Sequence, residues 1–258
     1  YSSNVGMVKL CKNQDSHHLI QYFSNFGVGI LPTNILIPSR EGFLPESSMI
    51  SERDKVSSCY GYGLSMSAIQ IAQAYQVFAN NGVFKELNLF YDRQLSSPEK
   101  DKRILSEETV NHINSMLFET VNSRFGTAKG ARIEGVKVAG KTGTAEKFVD
   151  GAYSKHEFIS SFAAVFPIDD PKFVCVVSVD SPDYYRGKHW GNETAAPIVK
   201  DIFERLIINN EEFIPAKPET VRQFTGNTHV KTSSPNLETA DIIQNNKNIV
   251  PDFRGLSL

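Results

Sequence analysis

The residues with the clearest chemical capacity lie in one short run, Val138-Ala139-Gly140-Lys141-Thr142-Gly143-Thr144-Ala145. An ammonium beside two hydroxyls makes a receptor for a carboxylate, because lysine supplies a point charge and each threonine a donor. Gly143, with no side chain, would let a ligand's backbone approach a strand edge and pair with it. Strict alternation along a strand places Thr142 and Thr144 on one face and Lys141 on the other, so Lys141 must curl round the edge on its long stem. Taken alone, the run also reads as a lysine and two threonines on a solvated edge strand, and its surroundings must decide.

Other candidates are weaker in isolation. Ser2-Ser3-Asn4 by itself reads as a turn or a helix cap. Ser97-Pro98-Glu99-Lys100 is a literal S-x-x-K, but a serine nucleophile and its lysine base must face each other on adjacent turns of one helix. Here a proline follows the serine in a polar stretch, so Ser97 is not expected to act as the nucleophile. His17-His18 is the one adjacent histidine pair, without metal-ligand spacing, and no metal or cofactor is expected. Cys11, Cys59 and Cys175 show no C-x-x-C grouping. They are expected as free, buried small hydrophobes that fix no compartment, at least one of them necessarily without an internal partner.

The elements that would position these residues can be read from periodicity. Ser67-Ala68-Ile69-Gln70 has capping-box spacing, and Ile71 to Ala79 is apolar nearly all round before Asn80-Asn81-Gly82, which predicts a buried helix. Ser106 with Glu107 and Glu108 opens a second helix, with Val110, Ile113, Leu117 and Val121 on one stripe. The period then changes to three β-rich runs, Val136 to Thr144, Phe158 to Phe166 and Phe173 to Val179, the last two joined by Pro167-Ile168-Asp169-Asp170-Pro171. Thr194 is predicted to cap a closing helix with Ile198, Val199, Ile202, Phe203, Leu206 and Ile207 at helical spacing. The fold class expected is α/β of the α+β type, an antiparallel sheet flanked by helices.

The first sixty residues hold short mixed segments that periodicity does not place, and from about Asn209 the chain turns polar and proline-bearing. A domain over residues 1–208 and a tail or linker over 209–258 are expected. The 258 residues carry 27 basic and 29 acidic side chains, a formal charge of −2, which gives no electrostatic case for a nucleic-acid partner. The longest apolar stretches fall short of the roughly 20 residues a spanning helix needs. The first residues, Tyr1-Ser2-Ser3-Asn4-Val5-Gly6, lack an initiator methionine and signal-peptide character, so the chain is read as a fragment or processed piece.

The order of the motifs resembles the transpeptidase domain of class B penicillin-binding proteins, especially the cell-division type. Ser2-Ser3-Asn4 matches the family's S-x-N, and Gly61-Tyr62-Gly63-Leu64-Ser65 with Ile71-Ala72-Gln73-Ala74-Tyr75 matches its mid-domain stretch. Gly140 to Ala145 is similar to its K-T-G motif, and Gly126-Thr127 through Ala131 to the element before it. Ser161-Phe162-Ala163 and Ala195-Ala196-Pro197 also fit, so the likeness runs roughly from Ser2 to Ile208. Two departures stand out: Ala128 replaces the second glycine of the usual G-T-G, and the S-x-x-K that carries the nucleophile has no counterpart upstream of Ser2. Val250 to Leu258 resembles the opening of the small β-lactam-associated repeat that follows some of these domains.

The resemblance implies a transpeptidase and serine β-lactamase-like fold with its N-terminal part missing, and a D,D-transpeptidase that cross-links peptidoglycan stem peptides through a serine acyl-enzyme. In it, Ser2 would relay a proton, Asn4 would hydrogen-bond the substrate amide and the nearby lysine, and Lys141 would tune Ser2. Thr142 and Thr144 would bind the substrate carboxylate at Gly143, and the Thr144 N–H would be one oxyanion donor. Tyr184, Tyr185 and Trp190 would lie near the cleft. The partners implied are stem peptides ending in D-Ala-D-Ala, β-lactam antibiotics and other cell-wall or division proteins. The place implied is the bacterial inner membrane, with the domain facing the periplasm and the anchor outside this chain. A non-catalytic peptidoglycan- or division-complex-binding module of the same fold is the alternative reading, and a serine β-lactamase fits the long tail less well.

Overall fold

The computed structural model describes residues 2–32, 39–88 and 101–209. Ser97, Lys100 and the expected tail and repeat-like terminus lie outside the described residues. Three short helices open the chain: α1 (Asn4–Cys11), α2 (Ser16–Asn25) and α3 (Glu52–Ser58). Each has a side-chain cap that satisfies a backbone N–H the helix itself leaves unpaired. Ser3 accepts from Gly6, Asp15 from His18, and Ser51 from Asp54.

The helix α4 (Ala68–Ala79) forms where the capping box predicts it, with Ser67 and Gln70 bonding reciprocally. Gln70 does more than cap. It is fully buried, and its Nε2 donates to the carbonyls of Gly27 (3.2 Å), Ile30 (2.8 Å) and Glu41 (2.7 Å). One amide thereby satisfies carbonyls from segments that have no strand or helix to bond them. Strands β1 (Val83–Phe84) and β2 (Lys102–Arg103) pair antiparallel, and α5 (Glu107–Asn122) follows, with Val110, Leu117 and Val121 buried on its predicted stripe.

Three strands form the main sheet in the order β3 (Ala139–Val149), β4 (Ala152–Phe166) and β5 (Phe173–Asp180), all antiparallel. The first two are longer than the β-rich runs suggest. They continue past Thr144 to a tight turn at Asp150-Gly151, where both φ angles are positive (52° and 85°), the geometry an Asp-Gly hairpin turn requires. Val136 to Val138 precede the strand instead of beginning it; Val136 bridges to Ile133 and Val138 is buried. The closing helix α6 (Ala195–Asn209) starts after Thr194, whose hydroxyl donates back to the Trp190 carbonyl.

Both faces of this sheet are covered. Phe162, Ala164 and Phe166 of β4 cluster with Ala195, Val199 and Phe203 of α6, the rings of Phe166 and Phe203 stacking at 4.6 Å. Ala163 and Val165, on the opposite face, are also buried, and α4 packs against β4 and β5. Gly140 makes the β3–β4 contact close, since a Cβ there would stand 2.5 Å from the Ala163 carbonyl oxygen and 2.6 Å from the Phe162 ring. Ala128, where glycine would be usual, sits at a negative φ (−128°) fully buried, with its N–H donating to Thr120, so the turn accepts a side chain.

The cysteines correct the expectation of free thiols. Cys11 and Cys59 form a disulfide across 48 positions of sequence, and Cys175 is free. Their spacing gave no sign of it because the pairing is made by tertiary structure, which brings the end of α1 to the end of α3. The same junction holds Lys55, almost wholly buried, whose Nζ donates to the Gln14 carbonyl (2.9 Å) and pairs with Glu52 (2.8 Å).

Closing a loop of this length confers about 4 kcal/mol in the chain-entropy account. Reduction, or Cys11→Ser with Cys59→Ser, should therefore lower the urea midpoint markedly, and an unchanged midpoint would mean that α1 is held without the bond. Replacing Gln70 by Leu should cost about 3 kcal/mol by stranding buried carbonyls, read as a lower melting temperature, whereas replacing the exposed Asn111 by Leu should change little.

Candidate active site

The geometry of the Lys141-Thr142-Gly143-Thr144 segment follows from which edge of β3 is open. Side chains of α5 reach the strand's outer edge, Thr120 donating to the Gly140 carbonyl and Asn122 to the Val138 carbonyl (3.0 Å). On the inner side, Lys137 accepts from Ile168. Backbone groups of alternate residues point the same way, so Thr142 and Thr144 direct theirs outward, with Val138 and Gly140. The pairing Thr142↔Phe162 and Thr144↔Ser160 agrees, because the Phe158 and Phe166 carbonyls of the same parity bond away from β3, to Ser181 and Lys172.

Lys141 curls round this edge as alternation demands: its Nζ donates to the Thr142 carbonyl at 2.8 Å. Burial pulls its pKa below the ordinary lysine value, the low-dielectric surroundings disfavouring the charged form. Farther along, the backbone of Glu146 hydrogen-bonds the Tyr62 phenol, and burial, with the Glu146 charge second, raises the Tyr62 pKa. The edge is thus covered by α5 at residues 138–140 and by Tyr62 at 146. Among the described residues, the Thr144 backbone between them is left facing outward.

Gly143 serves a different purpose from the one its sequence suggests. Its backbone points inward to β4, and a Cβ there would stand 2.7 Å from the Ser161 hydroxyl, so the missing side chain makes room for Ser161. The outward-facing backbone belongs instead to its neighbours Thr142 and Thr144. The Thr144 hydroxyl accepts from the Gly191 N–H (3.2 Å), and Ser160 donates to the His189 carbonyl, which lays residues 189–191 across the sheet face. There His189 packs against Phe158 (4.8 Å), Tyr184 (5.0 Å) and Trp190 (4.7 Å). Tyr185 and Trp190 remain exposed.

Ser3 is the N-cap of α1, which makes Asn4 its first residue and leaves Ser2 exposed just before it. Asn4 lines a cavity of about 1060 Å³ whose walls include Lys12, Arg53, Tyr62, Glu146 and Tyr153. The cavity therefore joins Asn4 to the strand two residues past Thr144. It does not contain Ser2, Lys141, Thr142 or Thr144, and the Lys141 amine is bonded to its own strand, not to Ser2 or Asn4. Tyr62, Glu146 and Tyr153 were not singled out as site residues from sequence. Tyr62 had a signal in its Gly-Tyr-Gly context, and Glu146 and Tyr153 had one in the Asp-Gly turn that extends the strands. Among the described residues no three His, Cys, Asp or Glu side chains converge as a metal site, and no helix is long and apolar enough to cross a membrane.

Comparison with known proteins identifies the family. The family model described as "Penicillin binding protein transpeptidase domain" matches residues 1–204. The chain is 32% identical over 208 residues to the peptidoglycan D,D-transpeptidase FtsI of Buchnera aphidicola, covering 80% of this chain and 35% of that protein. It is 31% identical over 198 residues to FtsI of Escherichia coli K12, covering 76% and 32%. It thus spans about a third of the length of these curated relatives. Among solved structures, the apo transpeptidase domain of Burkholderia pseudomallei penicillin-binding protein 3 superposes with a TM-score of 0.74 at 28% identity, over 84% of this chain and 64% of that one. Penicillin-binding protein 3 of Mycobacterium tuberculosis complexed with ampicillin gives 0.74 at 26%, over 85% and 51%. A Lys-Thr-Gly-Thr edge strand and a sheet covered on both faces by helices accord with these matches, and the chain belongs to the penicillin-binding protein transpeptidase family.

Proposed function

We propose that this chain is the C-terminal part of a peptidoglycan D,D-transpeptidase domain that forms cross-links through a serine acyl-enzyme, with the nucleophile on an S-x-x-K segment outside this chain. The observation that carries the reading is the edge of β3, where the Thr142 and Thr144 backbones face outward beside the Lys141 amine. A stem peptide ending in D-Ala-D-Ala lies along this edge as an added strand, its carboxylate held by Lys141 and the hydroxyls of Thr142 and Thr144. The Thr144 N–H donates to the carbonyl oxygen as it becomes an oxyanion.

The serine oxygen attacks the carbonyl of the penultimate D-alanine, the peptide C–N bond breaks, and the terminal D-alanine leaves with a proton delivered through Ser2. An amine of a second stem then attacks the ester carbonyl, forming the cross-link and returning the proton and the serine. Asn4 holds the substrate amide, and Lys141 keeps the Ser2 hydroxyl near a positive charge. β-Lactams acylate the same serine and stop there; the likeness to a penicillin-binding protein solved with ampicillin supports this. A place on the outer side of a bacterial inner membrane, beside other division proteins, fits the family, and the Cys11–Cys59 disulfide suits an oxidising compartment.

Intact-mass measurement after incubation with benzylpenicillin tests the assignment. The protein made from its complete reading frame should gain one adduct, and this chain alone none. An adduct on this chain alone would place the nucleophile within it, with Ser97 the first residue to examine. Lys141→Ala should slow acylation of the complete protein by about 10²-fold or more.

The second-order rate constant for acylation reports groups of the free enzyme. Because burial lowers the Lys141 pKa, its charge is lost as pH rises through a value below the ordinary 10.5. Acylation should accordingly fall on the alkaline side below that pH, and Lys141→Arg, which stays protonated, should abolish this limb even if its overall rate is lower.

A further inference from the structure

The Cys11–Cys59 disulfide stands between the two elements that carry the site's motifs. Cys11 ends α1, the helix that Asn4 opens, and it is the one buried residue of that helix. Cys59 follows α3 and enters a compact turn, in which the N–H groups of Tyr60 and Tyr62 both donate to the Ser57 carbonyl (3.2 and 3.1 Å). The Tyr62 phenol is in turn bonded to the Glu146 backbone of β3, just past Thr144. A chain of bonds thus runs from Asn4 along α1, through the two sulfurs, across the turn and onto the strand. The Lys55 contact grips Gln14, beyond the end of α1, and leaves the helix free to pivot once its bond to Cys59 is gone.

We propose that this disulfide is a redox switch on acylation: oxidised, it fixes Asn4 relative to the Thr144 edge, and reduced, it lets α1 pivot while the sheet and its core persist. This rests on the transpeptidase reading above, in which Asn4 holds the substrate amide. Among the described residues, neither hydrophobic cluster includes a residue of α1 or α3, and Val5 and Met7 are exposed, so losing the bond removes no core contact. The reductant is a dithiol. Cys59 is half-buried and Cys11 almost wholly buried, so a thiolate of the dithiol attacks the Cys59 sulfur, the S–S bond breaks, and Cys11 leaves as a thiolate that takes a proton from water. The second thiol of the reductant then displaces Cys59 from the mixed disulfide. Two electrons pass to the chain, which ends with two thiols, and the reductant ends as a disulfide; a disulfide oxidant reverses the exchange.

The complete protein is tested in three forms: oxidised, reduced with dithiothreitol and desalted, and reoxidised with oxidised glutathione. The readout is the second-order rate of acylation by benzylpenicillin. Reduction should slow it about tenfold, less than the roughly 10²-fold that a full ångström of misplacement can cost, and reoxidation should restore it. Cys11→Ser with Cys59→Ser should show the reduced rate and ignore dithiothreitol. In Asn4→Ala, already slow, reduction should change the rate by less than about twofold, because the group it displaces is absent. A wild-type rate unchanged by reduction overturns the switch, and so does equal slowing of the wild type and Asn4→Ala, which marks a general loosening. Loss of the near-ultraviolet circular dichroism signal on reduction at the assay temperature also overturns it, since the bond then only staples the fold. If the oxidised wild-type protein is not acylated at all, the transpeptidase reading itself fails, and the switch with it.

Discussion

The pairing of Thr142 opposite Phe162 is the constraint on which the rest of the sheet depends. It turns the Phe162, Ala164 and Phe166 side chains toward α6 and, through the same parity, the Thr142 and Thr144 backbones toward the open edge. Core and open edge are therefore set by one register. A slip of one residue would move the whole apolar set of a strand to the wrong face, and it would turn the Thr142 and Thr144 backbones inward as well. Burial of Phe162, Phe166 and Phe203, each worth roughly 1.5–3 kcal/mol, thus holds a hydrogen-bonding edge that it does not touch.

The first helix is secured differently. Of α1, only Cys11 is buried, and Val5 and Met7 are exposed. Hydrophobic packing within the described residues contributes little to its placement, so the disulfide to Cys59 and the Lys55 contact with Gln14 fix where its N-terminus stands. Asn4 is positioned by a helix held by a covalent bond and a buried ammonium, while Lys141 is positioned by a strand held by a core.

How much of this was legible in the sequence depends on range. The capping box at Ser67 and Gln70, the stripe of α5 and the curl of Lys141 follow from periods and spacings of a few residues, and the structure has each of them. The family motifs made the fold legible as well. The helices α1 to α3 were not placed because each is short, with few buried positions to give a pattern. The disulfide and the contacts between Glu146 and Tyr62 join positions far apart in sequence, and no local rule connects them. The role of Gly143 was misread for a related reason: the atom that needs its space, the Ser161 hydroxyl, belongs to the next strand.

The covering of the β3 edge bears on how this protein avoids pairing with copies of itself. An uncovered strand edge is a template for any other chain with unpaired backbone groups. Here α5 caps one end at Val138 and Gly140, and Tyr62 caps the other at Glu146, so the gap between them is a few residues long. Self-associating sheets are built from segments of about six or seven residues. A gap this short does not accommodate a second β-strand of that length, so the open part of the edge is a poor template for aggregation.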